Sequence, residues 1–368
     1  MSDGLIVTEW IEPTGGAERV LDAMGEVFPD AGIFCLWNDA PERFARGRVA
    51  ESWLSRTPLR RHKAAALPLL DATWRRAPVR ADHEWVLASS YVFSHHVRVP
   101  DPSVPKFVYA HSPARYLWDL ESDGRGRHPL VRAASPAFRS IDRRRAQEAT
   151  SIAANSRFVR DRIATAWQRD AVVIHPPVAV EAISRQTDWR GQVLDEKERR
   201  ILDRLPEVFV MGASRFTPYK ALDLVIAAAD RVGLPAVIAG RGPDEMRLRA
   251  RAGEVEVPVE FVIAPSDALM YALLQRSAVF VFPPIEDFGI VPVEAQAAGT
   301  AVVTGPVGGQ IETFIPGVSG VIAASTDPTD LAVSIDAALR LAPFNSRILT
   351  ERFGADRFAH ELRGFVQI

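Results

Sequence analysis

The chain contains a single cysteine, Cys35, among 368 residues. That excludes a disulfide framework within the chain and points to a reducing compartment. Lysine is nearly as scarce. Of 44 basic residues only Lys63, Lys106, Lys197 and Lys220 are lysine. Such a bias follows from a GC-rich coding sequence, so abundant arginine says little about function, while each lysine becomes more conspicuous. No apolar run approaches the ~18 residues of a membrane span. Residues 1–10 lack a charged n-region and an apolar h-region, so no signal peptide is expected and the setting reads as cytoplasmic. A net charge of −2 gives no pull toward nucleic acid. No G-x-G-x-x-G follows the first apolar run, and Gly240-Arg241-Gly242 lacks a third glycine, so a dinucleotide dehydrogenase is excluded. There is no Walker lysine loop and no Asp-x-Asp to bridge a diphosphate through a metal. His95 and His96 form no metal-ligand spacing. No metal and no cofactor are therefore expected.

What is present is alternation. Short apolar runs at residues 5–8, 32–36, 85–89, 106–110, 151–154 and 172–174 read as strands. Helical patterns occupy 17–28, 135–149 and 156–167. After His175-Pro176-Pro177 the pattern restarts, with strands at 207–213, 236–239, 260–263, 279–282 and 301–304. Helices are expected at 221–232, 243–252, 266–278 and 291–298. Residues 181–204 read as a linker with a surface helix, and a last helix spans 346–365. Alternating strand and helix predicts parallel sheets covered on both faces. Two such runs predict two Rossmann-like domains: 1–178, and 179–345, with a C-terminal helix of about 346–368 packing back on the first.

The most informative stretch is P-P-I-E-D-F-G-I-V-P-V-E-A, starting at Pro283. It ends a buried strand and opens a helix, where an α/β sheet presents ligand groups and a helix N-terminus favours phosphate. Glu286 sits in the loop, in reach of sugar hydroxyls. The amides of Phe288, Gly289 and Ile290 would face a diphosphate. Glu294 inside the helix would fork to a ribose diol. Two acids near a helix N-terminus can also simply complement its dipole. S-R-F-T-P-Y-K, from Ser214 to Lys220, likewise follows a strand. Arg215 and Lys220 would stabilise the charge that develops on a leaving nucleoside diphosphate, without a metal. Gly15 and Gly16, ahead of a helix, offer unobstructed amides, although Gly-Gly is commonly only a turn. Glu18 and Arg19 read as first-turn surface residues. His111, in H-S-P-A-R-Y-L-W-D at the end of a strand, could bond a sugar hydroxyl. These residues together read as a sugar-nucleotide enzyme.

A second feature is basic. Arg56, Arg60, Arg61, Lys63, Arg75, Arg76 and Arg80 share a segment with one acid, Asp71, and with Leu67, Leu69, Leu70 and Trp74 interleaved. Residues 1–178 hold 25 basic and 21 acidic side chains, a net +4, and the remainder is −6. An anionic membrane surface or a lipid-pyrophosphate acceptor would suit the first domain. An arginine-rich solvated face is the equal alternative.

The chain resembles the family 4 retaining glycosyltransferases of the GT-B fold. The matching pieces are G-G-A-E-R-V-L at Gly15, S-R-F-T-P-Y-K at Ser214, A-G-R-G-P at Ala239 and E-D-F-G-I-V-P-V-E-A at Glu286. The H-S-P-x-R-Y-x-W-D stretch is similar to bacterial mannosyltransferases of cell-surface polysaccharide and glycolipid assembly. The resemblance implies an α/β architecture of two Rossmann-like domains whose parallel sheets face each other across a cleft. It implies a nucleotide-sugar donor, with GDP-mannose favoured, and a saccharide or lipid-linked acceptor. Arg215 and Lys220 would hold the diphosphate, Glu286 the sugar and Glu294 the ribose. Gly16 would line the phosphate, His111 would contact the donor sugar, and the base would lie near Arg241, Ile263 and Ala264. Many relatives carry glycine where this chain has Ala264-Pro265, so the choice between GDP and UDP stays open. An epimerase or a non-catalytic nucleotide-sugar-binding protein on the same architecture remains the alternative. So does a location peripheral to the inner face of the membrane.

Overall fold

The computed structural model describes residues 4–119 and 129–366. The chain forms two compact units, Met1–Pro177 with Ala355–Ile368, and Val178–Gly354.

The first unit is built on a seven-stranded sheet: β1 Gly4–Thr8, β2 Gly32–Cys35, β3 Val49–Glu51, β4 Trp85–Ser90, β5 Lys106–Ala110, β6 Ser151–Ala154 and β7 Val172–Val173. The spatial order is β3-β2-β1-β4-β5-β6-β7, and every pairing is parallel. Side chains alternate between two cores. On one face Ile6, Leu87, Phe107 and Tyr109 meet Val20, Leu21 and Met24 of the Gly16–Val27 helix. On the other, Leu5, Val7 and Val86 meet Leu70 and Trp74 of the Lys63–Trp74 helix. Strands buried on both faces require the near-continuous apolar runs seen in the sequence.

The basic segment is tied into this packing in part, while Arg56, Arg61 and Arg76 are exposed. Leu70 and Trp74 belong to the core. Arg60 pairs with Asp39, Lys63 with Glu12, Arg75 with Glu148 and Arg80 with Asp82.

The second unit has six parallel strands: β8 Val210–Ala213, β9 Ala236–Gly240, β10 Val259–Ile263, β11 Val279–Phe282, β12 Val302–Thr304 and β13 Gly320–Ile322. Their order is β10-β9-β8-β11-β12-β13. The helices Leu222–Val232 and Pro328–Ala338 cover one face, through Val225, Ile226, Leu331 and Ile335. The helix Asp267–Arg276 covers the other, through Leu269 and Leu273. In both sheets the order reverses beside the first strand, between β1 and β4 and between β8 and β11. In such a sheet the crevice that receives ligands opens beyond the strand C-termini at that reversal.

Three expectations are revised. Residues 181–204, expected as a linker with one surface helix, hold two helices, Val180–Arg185 and Glu196–Arg204, which bury Val180, Ile183 and Leu202. Strands β3 and β13, three residues each, carry too little pattern to show in the sequence. The last helix is two, Arg347–Phe353 and Ala355–Val366, parted at Gly354. A Cβ there would lie 2.5 Å from the Thr350 carbonyl oxygen. Leu349 and Phe353 pack with Val178 and Phe288, while Phe358, Leu362 and Val366 join the first unit's core.

Candidate functional site

In the second unit the two loops flanking the reversal are the two motif loops. The loop after β8 carries Arg215 and Lys220, and the loop after β11 carries Glu286. Lys220 is 9% exposed, and its Nζ donates to Glu286 Oε1 at 2.6 Å. Its ammonium also lies 5.0 Å from the Tyr219 ring. Arg215 is exposed, and its Nη2 donates to the Tyr219 hydroxyl at 2.9 Å. The structure thus joins Lys220 to Glu286 and turns Arg215 to Tyr219.

The A-G-R-G-P stretch props the first of these loops. Gly240 and Gly242 have φ of +139° and +157°, and a Cβ on them would come within 1.9 Å of Ser214 O and 2.3 Å of Phe216 O. Phe216 N donates to Arg241 O at 2.8 Å. Arg241, Ile263 and Ala264 are exposed where β9 and β10 end. Ala264 has φ +48°, the left-handed region in which a Cβ is unfavourable. A glycine after this strand would be the relaxed choice.

The loop after β11 rests on a segment that sequence reasoning missed: Gly308, Gly309 and Gln310. Gly309 N donates to Glu286 O at 2.7 Å. Glu286 N donates to Gln310 Oε1 at 3.1 Å. A Cβ on Gly309 would lie 2.1 Å from Asp287 O. The available signal was V-G-G-Q directly after a strand. Gly289, at φ +101°, starts the Ile290–Ala297 helix. The side chain of Phe288 is core, packed with Val293 and Phe353, so only its backbone faces the helix start. Glu294 is 4% exposed, and the Tyr271 hydroxyl donates to its Oε1 at 3.5 Å.

In the first unit the reversal lies beside Glu9, fully buried just after β1. Its Oε1 accepts from the amides of Tyr91 (3.2 Å), Val92 and Ser94 (both 2.9 Å). Burial raises its pKa, and these amides oppose the rise. His111 follows β5. Its amide donates to Ser90 O at 2.8 Å, its Nε2 lies 2.9 Å from Ser89 Oγ, and Tyr91 and Tyr109 meet its ring edge-on.

Glu18 departs from expectation. It is buried, and a Cβ on Gly15 would lie 2.0 Å from its Oε2. Its carboxylate accepts from Glu12 N at 3.3 Å. The Glu18 carboxylate thus lies over the Cβ position of Gly15.

His95 and His96, which show no metal-ligand spacing in the sequence, converge on Asp142. Asp142, on the Pro129–Ala146 helix, is fully buried. Its Oδ2 accepts from Trp118 Nε1 and Trp167 Nε1, both at 2.7 Å. Its Oδ1 lies 3.0 Å from His96 Nε2 and 3.1 Å from His95 Nε2. The neighbouring imidazoles hold its carboxyl well below the usual carboxylate range, against the upward push of burial. Among the described residues this is the one group whose ligand atoms could meet at a metal.

Burial lowers His95 and His111 from the ordinary 6.5 to about 4. Between those values the unfolded chain binds protons that the folded chain refuses. The stability both rings contribute is complete above pH 6.5 and is lost as pH falls toward about 4. The histidines' share of stability falls from about pH 7 to about pH 4.5, against an opposite trend from Glu9 and Glu18, whose burial raises their carboxyl pKa. Urea midpoints of His111→Gln are expected to fall less across that window than those of wild type, and an equal fall would contradict the neutral ring.

Residues 195–352 match the family described as glycosyl transferases group 1. The matched residues lie wholly within the second unit. A D-inositol 3-phosphate glycosyltransferase of Frankia alni is 30% identical over 195 residues, covering 48% of this chain and 47% of that protein. The Mycobacterium tuberculosis protein of the same name is 34% identical over 181 residues, covering 46% and 36%. The matches thus span less than half of these curated relatives. Among solved structures, Anabaena HepE in complex with UDP superposes with a TM-score of 0.72 at 16% identity, covering 98% of each chain. Sucrose-phosphate synthase from Thermosynechococcus elongatus gives the same TM-score, identity and coverage. At that identity the likeness shows the fold, and the fold class is that of the GT-B glycosyltransferases.

Proposed function

We propose that the protein is a retaining glycosyltransferase that moves a hexose from a nucleotide sugar to a saccharide or lipid-linked acceptor. The observation that carries this reading is the Lys220–Glu286 pair, 2.6 Å apart, on the two loops beside the strand reversal of the second unit, whose residues match the group 1 glycosyl transferases. A carboxylate there can take sugar hydroxyls, and an ammonium beside it can take the phosphate next to that sugar. The Ile290–Ala297 helix adds its N-terminal amides for the diphosphate. Arg215, exposed and bonded to the Tyr219 hydroxyl, supplies a second cation able to swing onto a ligand. Glu294 is the proposed ribose ligand.

In the reaction, the bond between the anomeric carbon and the phosphate oxygen breaks. The acceptor oxygen bonds that carbon from the same face, and the acceptor proton passes to the leaving phosphate. Lys220 stabilises the charge on that phosphate as it departs. His111 enters as a neutral ring that hydrogen-bonds a sugar hydroxyl.

GDP-mannose is the favoured donor, on the strength of the H-S-P-x-R-Y-x-W-D stretch. UDP-hexose is the second reading, because solved neighbours of this fold are described with UDP and UDP-glucose. A thermal-shift panel of GDP, UDP and ADP sugars separates the two. Saturation at about 100 times Kd adds about 2.7 kcal/mol, or roughly 5–10 °C for a domain of this size. Glu286→Ala should remove the part of the shift that the sugar adds, so that the sugar nucleotide shifts the midpoint no more than the bare nucleotide does. If no sugar nucleotide moves the midpoint and none is hydrolysed, the proposal fails.

A further inference from the structure

The first unit holds a basic cavity that the transfer reaction does not use. The Pro129–Ala146 helix carries Arg139, Arg143, Arg144 and Arg145. Arg145 is fully engaged: it forks to Asp71 and reaches Glu148. The other three differ. Arg139 Nε donates to Leu117 O at 2.8 Å, and Arg143 Nε donates to Ala166 O at 2.9 Å. Both guanidinium carbons lie 5.4 Å from the centre of the Trp118 ring. Trp118 is itself fixed by its bond to Asp142. Each of these guanidinium groups is thus pinned at one nitrogen and against one ring. Their terminal nitrogens meet no carboxylate among the described residues. Arg144 is exposed.

These groups border a cavity of about 650 Å³, with Ser140 and Gln147 beside them. No carboxylate among the described residues lines it. An arginine-rich solvated face explains this poorly. In such a face long side chains keep their rotamer freedom or find acids, as Arg145 does on the same helix. Here two forks are pre-oriented, which lowers the ordering cost of binding an anion. Guanidinium groups match the oxygens of a phosphate in two-point contacts. The volume suits a pyrophosphate or a phosphate ester with part of its attached group.

We propose that this cavity is a binding site for a phosphate-bearing anion, held by Arg139, Arg143 and Arg144. It shares no residue with the Lys220–Glu286 site and does not depend on the reading of that site. The anion has two possible sources with the same chemistry, a soluble phosphate compound or the headgroup of an anionic lipid.

The test is calorimetric titration of the full chain with inorganic pyrophosphate. Four proteins are compared: wild type, Ser140→Glu, Arg144→Glu and Arg215→Ala. Ser140 and Arg144 are exposed and make no side-chain bond among the described residues, so both variants should keep the wild-type melting midpoint. Each should weaken one class of pyrophosphate site by about tenfold or more, because a carboxylate now faces the anion. Arg215→Ala should leave that class unchanged and affect only binding at the other unit. If pyrophosphate binds equally well to wild type, Ser140→Glu and Arg144→Glu, or binds only where Arg215→Ala weakens it, the cavity is not a phosphate site. Co-sedimentation with phosphatidic acid vesicles then identifies the source. Vesicle binding that pyrophosphate displaces and Ser140→Glu weakens supports the headgroup. Pyrophosphate binding without vesicle binding supports the soluble compound.

Discussion

Replacing Lys220 with alanine is expected to lower kcat/KM for sugar transfer by about 100- to 1,000-fold, the usual consequence of removing one fixed group that meets developing charge. The effect has two parts. The ammonium that would meet the departing phosphate is gone. The Glu286 carboxylate, whose side chain is 17% exposed, also loses its partner and then repels the incoming diphosphate. Leaving that carboxylate unpaired should destabilise the second unit by roughly 1–3 kcal/mol. The slot is partly open to water, so the cost of stranding a fully buried charge is not reached. Lys220→Arg restores the charge but not the fit. The slot is 9% exposed, and a planar fork is wider than an ammonium, so only part of the activity should return. Steady-state kinetics and thermal midpoints on the same preparations separate the two parts. Wild-type transfer by Lys220→Ala would remove this residue from the mechanism.

The largest effect on stability is expected in the first unit, from Asp142→Ala. One carboxylate there answers two indoles at 2.7 Å and two imidazoles within 3.1 Å, with no water contact. Removing it strands three hydrogen-bond partners at once, Trp118, Trp167 and His96, and leaves a polar hole beside Trp167. Breaking a buried ionic group in this way costs about 3–5 kcal/mol, a large share of the roughly 5–15 kcal/mol that holds a domain together. Asp142→Asn keeps the shape but turns an amide donor toward one of the donor pairs, so it should fall between alanine and wild type. Urea unfolding followed by tryptophan fluorescence reports the ranking directly. Equal stability of all three proteins would show that the knot adds nothing.

The sequence was most legible where the physics is local. Strands buried on both faces announce themselves as apolar runs, and residues 106–110, 151–154 and 279–282 match β5, β6 and β11 to the residue. Glu286 and Lys220 were legible because each follows such a run. Long-range packing hid the rest. Asp142 lies in an arginine-rich helix, and nothing adjacent in sequence shows that Trp118, Trp167, His95 and His96 converge on it. Glu18 looked like a surface acid because the chain that covers it arrives from Glu12 and Gly15. Gly309 is needed because the backbone of Asp287 passes over it, and Gly308 because its φ is +123° and the Gln310 side chain lies against it. Gly354 looked like an interior helix residue, whereas the chain leaves there for the other unit.

That departure at Gly354 has a consequence for biosynthesis. Phe358, Leu362 and Val366 close the core of a unit whose other residues end at Pro177. A ribosome must therefore emit the whole of Val178–Gly354 before the amino-terminal sheet receives its last apolar cover. For that interval the nascent sheet exposes the surface under Ile6, Phe107 and Tyr109. It is the half of the molecule made first that needs chaperone shelter longest.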